Sequence, residues 1–486
     1  MSATVLARRW RHAFAAVHTL SFEQEEGSSY GTVSMDDYNY TAFHEEGGNA
    51  AFIALVDAAF ASRRRCAGEK AGDPGLRAFL VAFDSFHHSL AGHVDRWLAA
   101  ALPAAEEIRV DAQRACTRER AFSYYQEIEH TGEIRDESDG EEDADDFRNP
   151  KSRDSAYRIP RELFFSSSAA ARLRTLSLGS CLLDLPLPGD DGGHFLRLPA
   201  VETLELRRIP DSGRDIQRLI SACPRLADLT LDSCRRLRAV TVLDARLHKL
   251  ALRCCHGARL TVDASELRAL EYKGPVPSDA VLSFLGSPPG IVSCDIEFCG
   301  STIASSDNVF SGKPFTYSDA ELVNLAQFLR RFANDARSLR LGFVSLGAGI
   351  EKINGGMAPF LCLRRLELKG TLIRDSAVDA VAAMLERTLN LEILTLVISP
   401  DIYENNWNEV TCDPKAVIDV PDVLPVIPCL RDRRDQRRAL LLLKELLLRL
   451  ASALDELCVV FPKGKYAVQS ALIGEIHSWV MNPSAK

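Results

Sequence analysis

Leu226-Ala227-Asp228-Leu229-Thr230-Leu231-Asp232-Ser233-Cys234 decides how this chain reads. Its spacing is L-x-x-L-x-L-x-x-C. The same spacing returns as Leu173, Leu176, Leu178, Cys181 and as Leu247, Leu250, Leu252, Cys255. A degenerate copy follows as Ile291, Cys294, Ile296, Cys299. Apolar residues two apart lie on one face of a strand, so each copy predicts a short strand with one buried side. A fixed motif at a fixed repeat distance predicts one strand per repeat, each stacked on the next. Such an array is a scaffold for holding something, and it argues against an enzyme.

Working outward, Val201, Leu204, Leu206 keeps the register, as do Leu267, Leu270, Tyr272 and Leu363, Leu366, Leu368. Leu391, Leu394, Leu396 and the weaker Ala336, Leu339, Leu341 fit as well, and near the front so do Val17, Leu20, Phe22 and Leu76, Phe79, Val81. Starting positions from Leu173 to Ile291 lie 28, 25, 21, 20 and 24 residues apart, which is the leucine-rich-repeat range. One unit cannot stand alone, because three buried side chains return less than the entropy of ordering twenty-odd residues. Stacking buries both flanks of each leucine layer. Between strands, Ile216, Leu219, Ile220 and Val378, Val381, Met384, Leu385 have helical spacing. Each repeat is therefore expected to be strand, loop and short helix. The expected class is an α/β leucine-rich-repeat solenoid with a curved parallel sheet and a C-terminal capping module.

The chain has 486 residues and a net charge of −9. Glu133–Asp146 holds nine acidic residues and one arginine, so the remainder is close to neutral. A run of that kind reads as a solvated, disordered loop, here spanning 133–150, with Ser138 fitting an acid-directed kinase. No apolar run approaches the length of a bilayer span, since Ala439–Leu450 is interrupted by Lys444, Glu445 and Arg449. The N-terminus carries Arg8, Arg9 and Arg11 with no apolar core behind them, unlike a signal peptide. Nucleus or cytoplasm is the expected location, with no membrane partner. The thirteen cysteines are expected to be free thiols, those at the last motif position turning inward. Cys254-Cys255-His256 lacks a second pair at zinc spacing, so no metal is expected. Arg431–Arg438 mixes five arginines with Asp432 and Asp435, too little for nucleic acid.

Catalytic strings fail on context. Gly27-Ser28-Ser29-Tyr30-Gly31 has neither a strand before it nor a helix after it, as a nucleophile elbow requires. His44-Glu45 lacks a second histidine, and Asp136–Asp146 lacks alternating calcium ligands. No phosphate-binding glycine loop occurs. Catalytic residues and cofactors are expected to be none.

The two ends carry a resemblance. Thr4-Val5-Leu6-Ala7-Arg8-Arg9-Trp10-Arg11, followed by Thr19-Leu20-Ser21-Phe22, looks like the closing helix of a plant F-box and the first repeat behind it. Leu454-Asp455-Glu456-Leu457-Cys458-Val459-Val460-Phe461 and Glu475-Ile476-His477-Ser478-Trp479-Val480-Met481-Asn482 resemble the FBD module of plant F-box/leucine-rich-repeat proteins, and Leu163-Phe164-Phe165 agrees. The resemblance implies a substrate receptor of a cullin-based ubiquitin ligase, with a Skp-family adaptor and a cullin as partners. Val5, Leu6, Arg9 and Trp10 become the adaptor-docking remnant. An F-box has about three helices, whereas this sequence starts at the last, so it supports the receptor half of that role. The expected organisation is an F-box remnant (1–16), divergent repeats (17–132), the acidic loop, the repeat region (151–400), a proline-containing linker (401–438) and an FBD-like cap (439–486). In the cap, Val468, Leu472, Ile476 and Trp479 line one helical face.

The partner would be an unidentified protein. Candidate binding positions are those between the strand leucines, expected to be exposed on the concave sheet: Thr175, Ser177, Glu205, Arg207, Thr230, Asp232, Arg253, Glu271 and Glu367. A truncated decoy or an adaptor with no ligase link is the alternative. A small-molecule receptor would need a lined pocket that no basic or aromatic run announces.

Overall fold

The computed structural model describes residues 17–24, 46–67, 76–84, 86–112, 156–165, 171–185, 196–234, 236–243, 246–255, 257–277, 281–285, 289–298, 317–346, 357–371, 376–398 and 456–460. Val5, Leu6, Arg9, Trp10, the acidic run with Ser138, the 401–438 segment, Cys299, His256 and the helical parts expected in 439–486 lie outside them. The described residues belong to two compact units, Met1–Leu247 with Cys255–Ala264, and His248–Cys254 with Ser265–Lys486.

In the first unit the strands are β1 (Thr19–Glu23), β2 (Ala78–Ala82), β3 (Glu107–Asp111), β4 (Tyr157–Arg158), β5 (Thr175–Gly179), β6 (Cys181–Leu182), β7 (Thr203–Arg207), β8 (Asp228–Asp232) and β9 (Ala239–Leu243). Strands β1, β2, β3, β5, β7 and β8 form a parallel ladder in that order, while β4 pairs with β6. The register aligns Leu20, Phe79, Ile108, Leu176, Leu204 and Leu229 in one row, and Phe22, Val81, Val110, Leu178, Leu206 and Leu231 in the next. Stacked rows of this kind are leucine-rich-repeat architecture. The sequence spacing therefore sets the strand register directly, since a one-residue slip would turn every leucine to solvent.

Strand β10 (Lys249–Arg253) belongs to the second unit, β11 (Arg259–Asp263) to the first. The second unit continues with β12 (Ala269–Gly274), β13 (Leu282–Phe284), β14 (Ser293–Phe298), β15 (Ser338–Ser345), β16 (Arg365–Thr371), β17 (Ile393–Ile398) and β18 (Glu456–Val460). Here β10, β12, β14, β15, β16, β17 and β18 form the parallel ladder. Its inward rows run Leu250, Leu270, Cys294, Leu339, Leu366, Leu394 and Leu252, Tyr272, Ile296, Leu341, Leu368, Leu396.

Helices are α1 (Glu46–Ala67), α2 (Ala91–Ala101), α3 (Glu162–Phe165), α4 (Gly213–Ser221), α5 (Asp319–Arg330) and α6 (Ser376–Leu385). None of the described helices is long and apolar enough to cross a membrane. Ile216, Leu219 and Ile220 of α4 are buried, and so are Val381 and Met384 of α6, as their spacing predicted. Ser212 caps α4 by accepting from the Asp215 amide, and Ser318 with Glu321 makes a reciprocal capping box on α5.

The strand–loop–helix expectation needs one correction. The three repeats that start at Leu226, Leu247 and Leu267 return through strands β9, β11 and β13, with β9 and β11 paired in parallel. These are the shortest of the spacings counted above. An extended chain covers about 3.3 Å per residue against 1.5 Å for a helix, so a short repeat can make the return only as a strand. Val240, Val242, Leu260 and Val262 bury the alternating face.

The end of each motif also has a shared geometry. Ser180, Arg208, Ser233 and Cys254 follow β5, β7, β8 and β10, all with φ between 50° and 56°. This left-handed residue swings the next side chain into the core, and Cys181, Ile209, Cys234 and Cys255 are accordingly buried. The strain is offset by cross-repeat bonds, Ser180 N to Arg207 O at 2.8 Å and Arg208 N to Asp232 O at 2.7 Å. The thiols donate to carbonyls of the preceding repeat, Cys234 Sγ to Leu206 O and Cys255 Sγ to Leu231 O, each 3.6 Å. A small inward donor is what the last motif position requires.

Candidate functional site

Between the buried rows lie the outward side chains of each ladder. In the first unit the middle outward row reads Ser21, Leu80, Arg109, Ser177, Glu205, Thr230. Strands sit about 4.8 Å apart, so unlike charges on neighbouring or next-neighbouring strands meet. Arg109 Nε lies 2.6 Å from Glu107 Oε1, and its Nη1 lies 4.0 Å from Glu205 Oε2 across Ser177. Ser177 donates to Glu205 Oε2 at 2.9 Å. Arg207 Nε is 3.1 Å from Glu205 Oε1, within ion-pair range but outside hydrogen-bond geometry.

The next row of the first unit reads Glu23, Ala82, Asp111, Gly179, Arg207, Asp232. Asp111 leans over Gly179, where an added Cβ would stand 2.6 Å from its Cγ. Asp111 Oδ1 thereby accepts from Arg208 Nη2 at 2.9 Å, while Arg208 Nε donates to Ser180 Oγ at 2.8 Å.

The second unit repeats the pattern with longer reach. Arg253 and Glu271 form a two-pronged pair at 2.5 and 2.8 Å. Arg340 bridges Asp295 and Glu367, each at 2.9 Å. Glu297 receives Lys273 at 3.4 Å and Lys369 at 3.2 Å, the latter across Gly342. Burial pushes the Glu297 carboxyl up, but Lys273 and Lys369 outweigh it and hold the group below the usual range. Burial dominates at Asp295, helped by Glu271, and raises its carboxyl despite Arg340.

The structure places Thr175, Ser177, Glu205, Arg207, Thr230 and Asp232 on the outward face of the first unit's ladder, and Arg253, Glu271 and Glu367 on that of the second. Their expected exposure is corrected. Ser177 is buried, at 4 % exposure, and the other eight are half-buried. Partners on neighbouring strands cover them. Arg109, Asp295, Arg340, Glu297 and Lys369 escaped the sequence reading, although the template run through the degenerate repeats points to each.

The buried thiols differ: a hydrogen bond from Cys255 lowers the Cys234 thiol, while three others are raised. Burial pushes Cys181 far up, and Cys223 and Cys294 up to about 12. Among the described residues no group of three His, Cys, Asp or Glu side chains gathers to hold a metal ion. An open cleft of about 380 Å³ lies where β1, β2, β3 and β5 begin, lined by Arg77, Glu106, Glu107 and Arg174 among others. Its charged lining does not match the apolar enclosure of small-molecule sites.

No curated protein matches the chain. Residues 145–279, which hold β4 to β12, are similar to the leucine-rich repeats of the FBD-associated F-box protein At5g56370, the family whose model they match.

Proposed function

We propose that this chain is a non-catalytic, protein-binding repeat scaffold that serves as the substrate receptor of a cullin-based ubiquitin ligase. The match of residues 145–279 to the repeats of an F-box-associated family carries this reading. The outward faces support it. They present ordered, half-buried charge, and stiff side chains lose little entropy on docking. The partners are an unidentified protein substrate, a Skp-family adaptor and a cullin, with ubiquitin transfer performed by other subunits.

The test pairs adaptor capture with site-specific photocrosslinking of the full chain. A crosslinking residue replaces either Glu367, on the outward strand face, or Val323, exposed on α5. Recovery of the Skp-family adaptor, with a substrate crosslinked from position 367 and not from 323, is the expected result. Crosslinking without the adaptor would leave an interaction scaffold with no ligase link. Failure of both would remove the receptor reading altogether.

A further inference from the structure

The residues that open the strands form two adjoining rows, two steps and one step before the inward row. In the second unit the earlier of these rows is continuous through the backbone. Arg268 N bonds to His248 O, Val292 N to Arg268 O, Arg337 N to Val292 O, Arg364 N to Arg337 O and Glu392 N to Arg364 O, all at 2.8–2.9 Å. One residue later, Lys249, Ala269, Ser293, Ser338 and Arg365 stand in register. Lys249, Arg268, Arg337, Arg364 and Arg365 are all exposed.

Among the described residues, only one of these five cations has a carboxylate within ion-pair distance, Arg364 with Glu392 at 2.5 Å. His248 takes Glu266 at 3.0 Å. Arg268 bonds only to the carbonyls of Ser265, Leu267 and Gly290, and Asp335 beside it stays outside ion-pair distance. Lys249, Arg337 and Arg365 make no ion pair with any described residue. The first unit is built otherwise. Its equivalent row alternates Arg77, Glu106, Arg174, Glu202 along the same kind of backbone bonds, with Arg174 and Glu202 4.0 Å apart.

We propose that Lys249, Arg268, Arg337 and Arg365, from these two adjoining rows, form a docking strip for an acidic, extended protein segment, which rests on the scaffold reading and specifies the chemistry of what that scaffold holds. Lys249 and Arg365 are four strands apart, about 19 Å, a distance that about six extended residues span. The ladder holds the backbone of this strip at fixed spacing, so only its side chains are ordered on binding. A protein segment fits better than nucleic acid. No aromatic side chain stands in the strip to stack on bases. Two residues further along the strands stand Glu271, Asp295 and Glu367, so the cationic strip is narrow along the strand direction, as a single extended chain requires.

The experiment titrates the full chain with a fluorescein-labelled twelve-residue peptide of alternating Asp and Glu, read by anisotropy. Saturable binding is expected, weakening on the order of tenfold in Lys249→Glu/Arg365→Glu and again as salt rises from about 50 to about 500 mM. Arg77→Glu/Arg174→Glu, on the alternating row, is expected to bind like the parent. Circular dichroism of each variant checks folding, and Lys249→Gln/Arg365→Gln serves as a milder pair. Three results would overturn the proposal: equal binding of an Asn/Gln version of the peptide, equal loss in both rows, or tighter binding of oligo(dT). Crosslinking from position 367 separates the two readings. If it persists while the acidic peptide fails to bind, the docking strip is wrong and the scaffold stands.

Discussion

Two glycines, one in each unit, solve the same problem with different consequences. Gly179 lets Asp111 cross its strand to reach Arg208, and Gly342 lets Glu297 reach Lys369. In both places the missing Cβ opens a gap in the outward row, and an acid leans through it. The first pair is the more enclosed, with Arg208 at 23 % and Asp111 at 18 % exposure against 39 % and 36 % for Lys369 and Glu297. Arg208 is also the left-handed residue that turns the chain after β7. The first ion pair therefore fastens the frame of a repeat, while the second tunes the charge of a face that remains half open to solvent.

The comparison can be tested by substitutions in both units. The largest effect is expected from Leu231→Ala and Leu341→Ala, both 0 % exposed in the second inward row. Each should cost about 2–5 kcal/mol in denaturant unfolding, because a repeat cannot collapse around the cavity without losing register. Similar losses in both units would show that the leucine rows carry comparable weight in each.

The glycines come next. Gly179→Ala should cost about 1–3 kcal/mol, since Asp111 is short, anchored to Arg208 and cannot move aside. At Gly342 the nearest atom is Glu297 Cγ at 2.9 Å, part of a longer side chain, so Gly342→Ala should be milder. Equal cost at both positions would break the distinction between frame and face. A smaller loss, about 1 kcal/mol, is expected for Ser318→Ala, which removes the hydroxyl half of the α5 capping box and keeps the Ser318 amide bond to Glu321.

The smallest effect concerns pH. Glu297 has a folded pKa below its ordinary value, so the stability it contributes is present above the carboxylate range and is lost as pH falls through the lowered pKa. Asp295 runs the opposite way. Its folded pKa is raised, so protonation on acidification relieves a penalty. Glu297→Gln should consequently flatten the acid side of a Tm-against-pH curve, and Asp295→Asn should steepen it. The same slope in both variants would contradict the assignment.

Much of the frame was legible because a strand with one buried face has a period of two, and Leu176, Leu204, Leu229 and Leu250 declare it. The return strands β9 and β11 are legible too, in the period-two alternation of Ala239-Val240-Thr241-Val242-Leu243 and Arg259-Leu260-Thr261-Val262-Asp263, although the helical spacing of longer repeats masks it. The outward charges were only half legible. Glu205 and Arg253 sit in clear repeats, whereas Asp295 and Arg340 sit in degenerate ones whose strand centres hold Cys294, Ile296 and Leu341. The expected exposure failed at Ser177 because a sequence shows which face a residue takes and not which neighbours lean over it.

By itself, then, the sequence determined the repeat, the inward rows and the inward turn at Cys181, Cys234 and Cys255, all of which follow from local periodicity and side-chain size. Tertiary structure alone decided that Glu297 spans Gly342, that Ser177 is covered and that Lys249 and Arg365 share a register row. Those relations join residues from 28 to more than 100 positions apart through lateral strand pairing. A spacing of about 4.8 Å between strands makes them neighbours, and no local pattern encodes it.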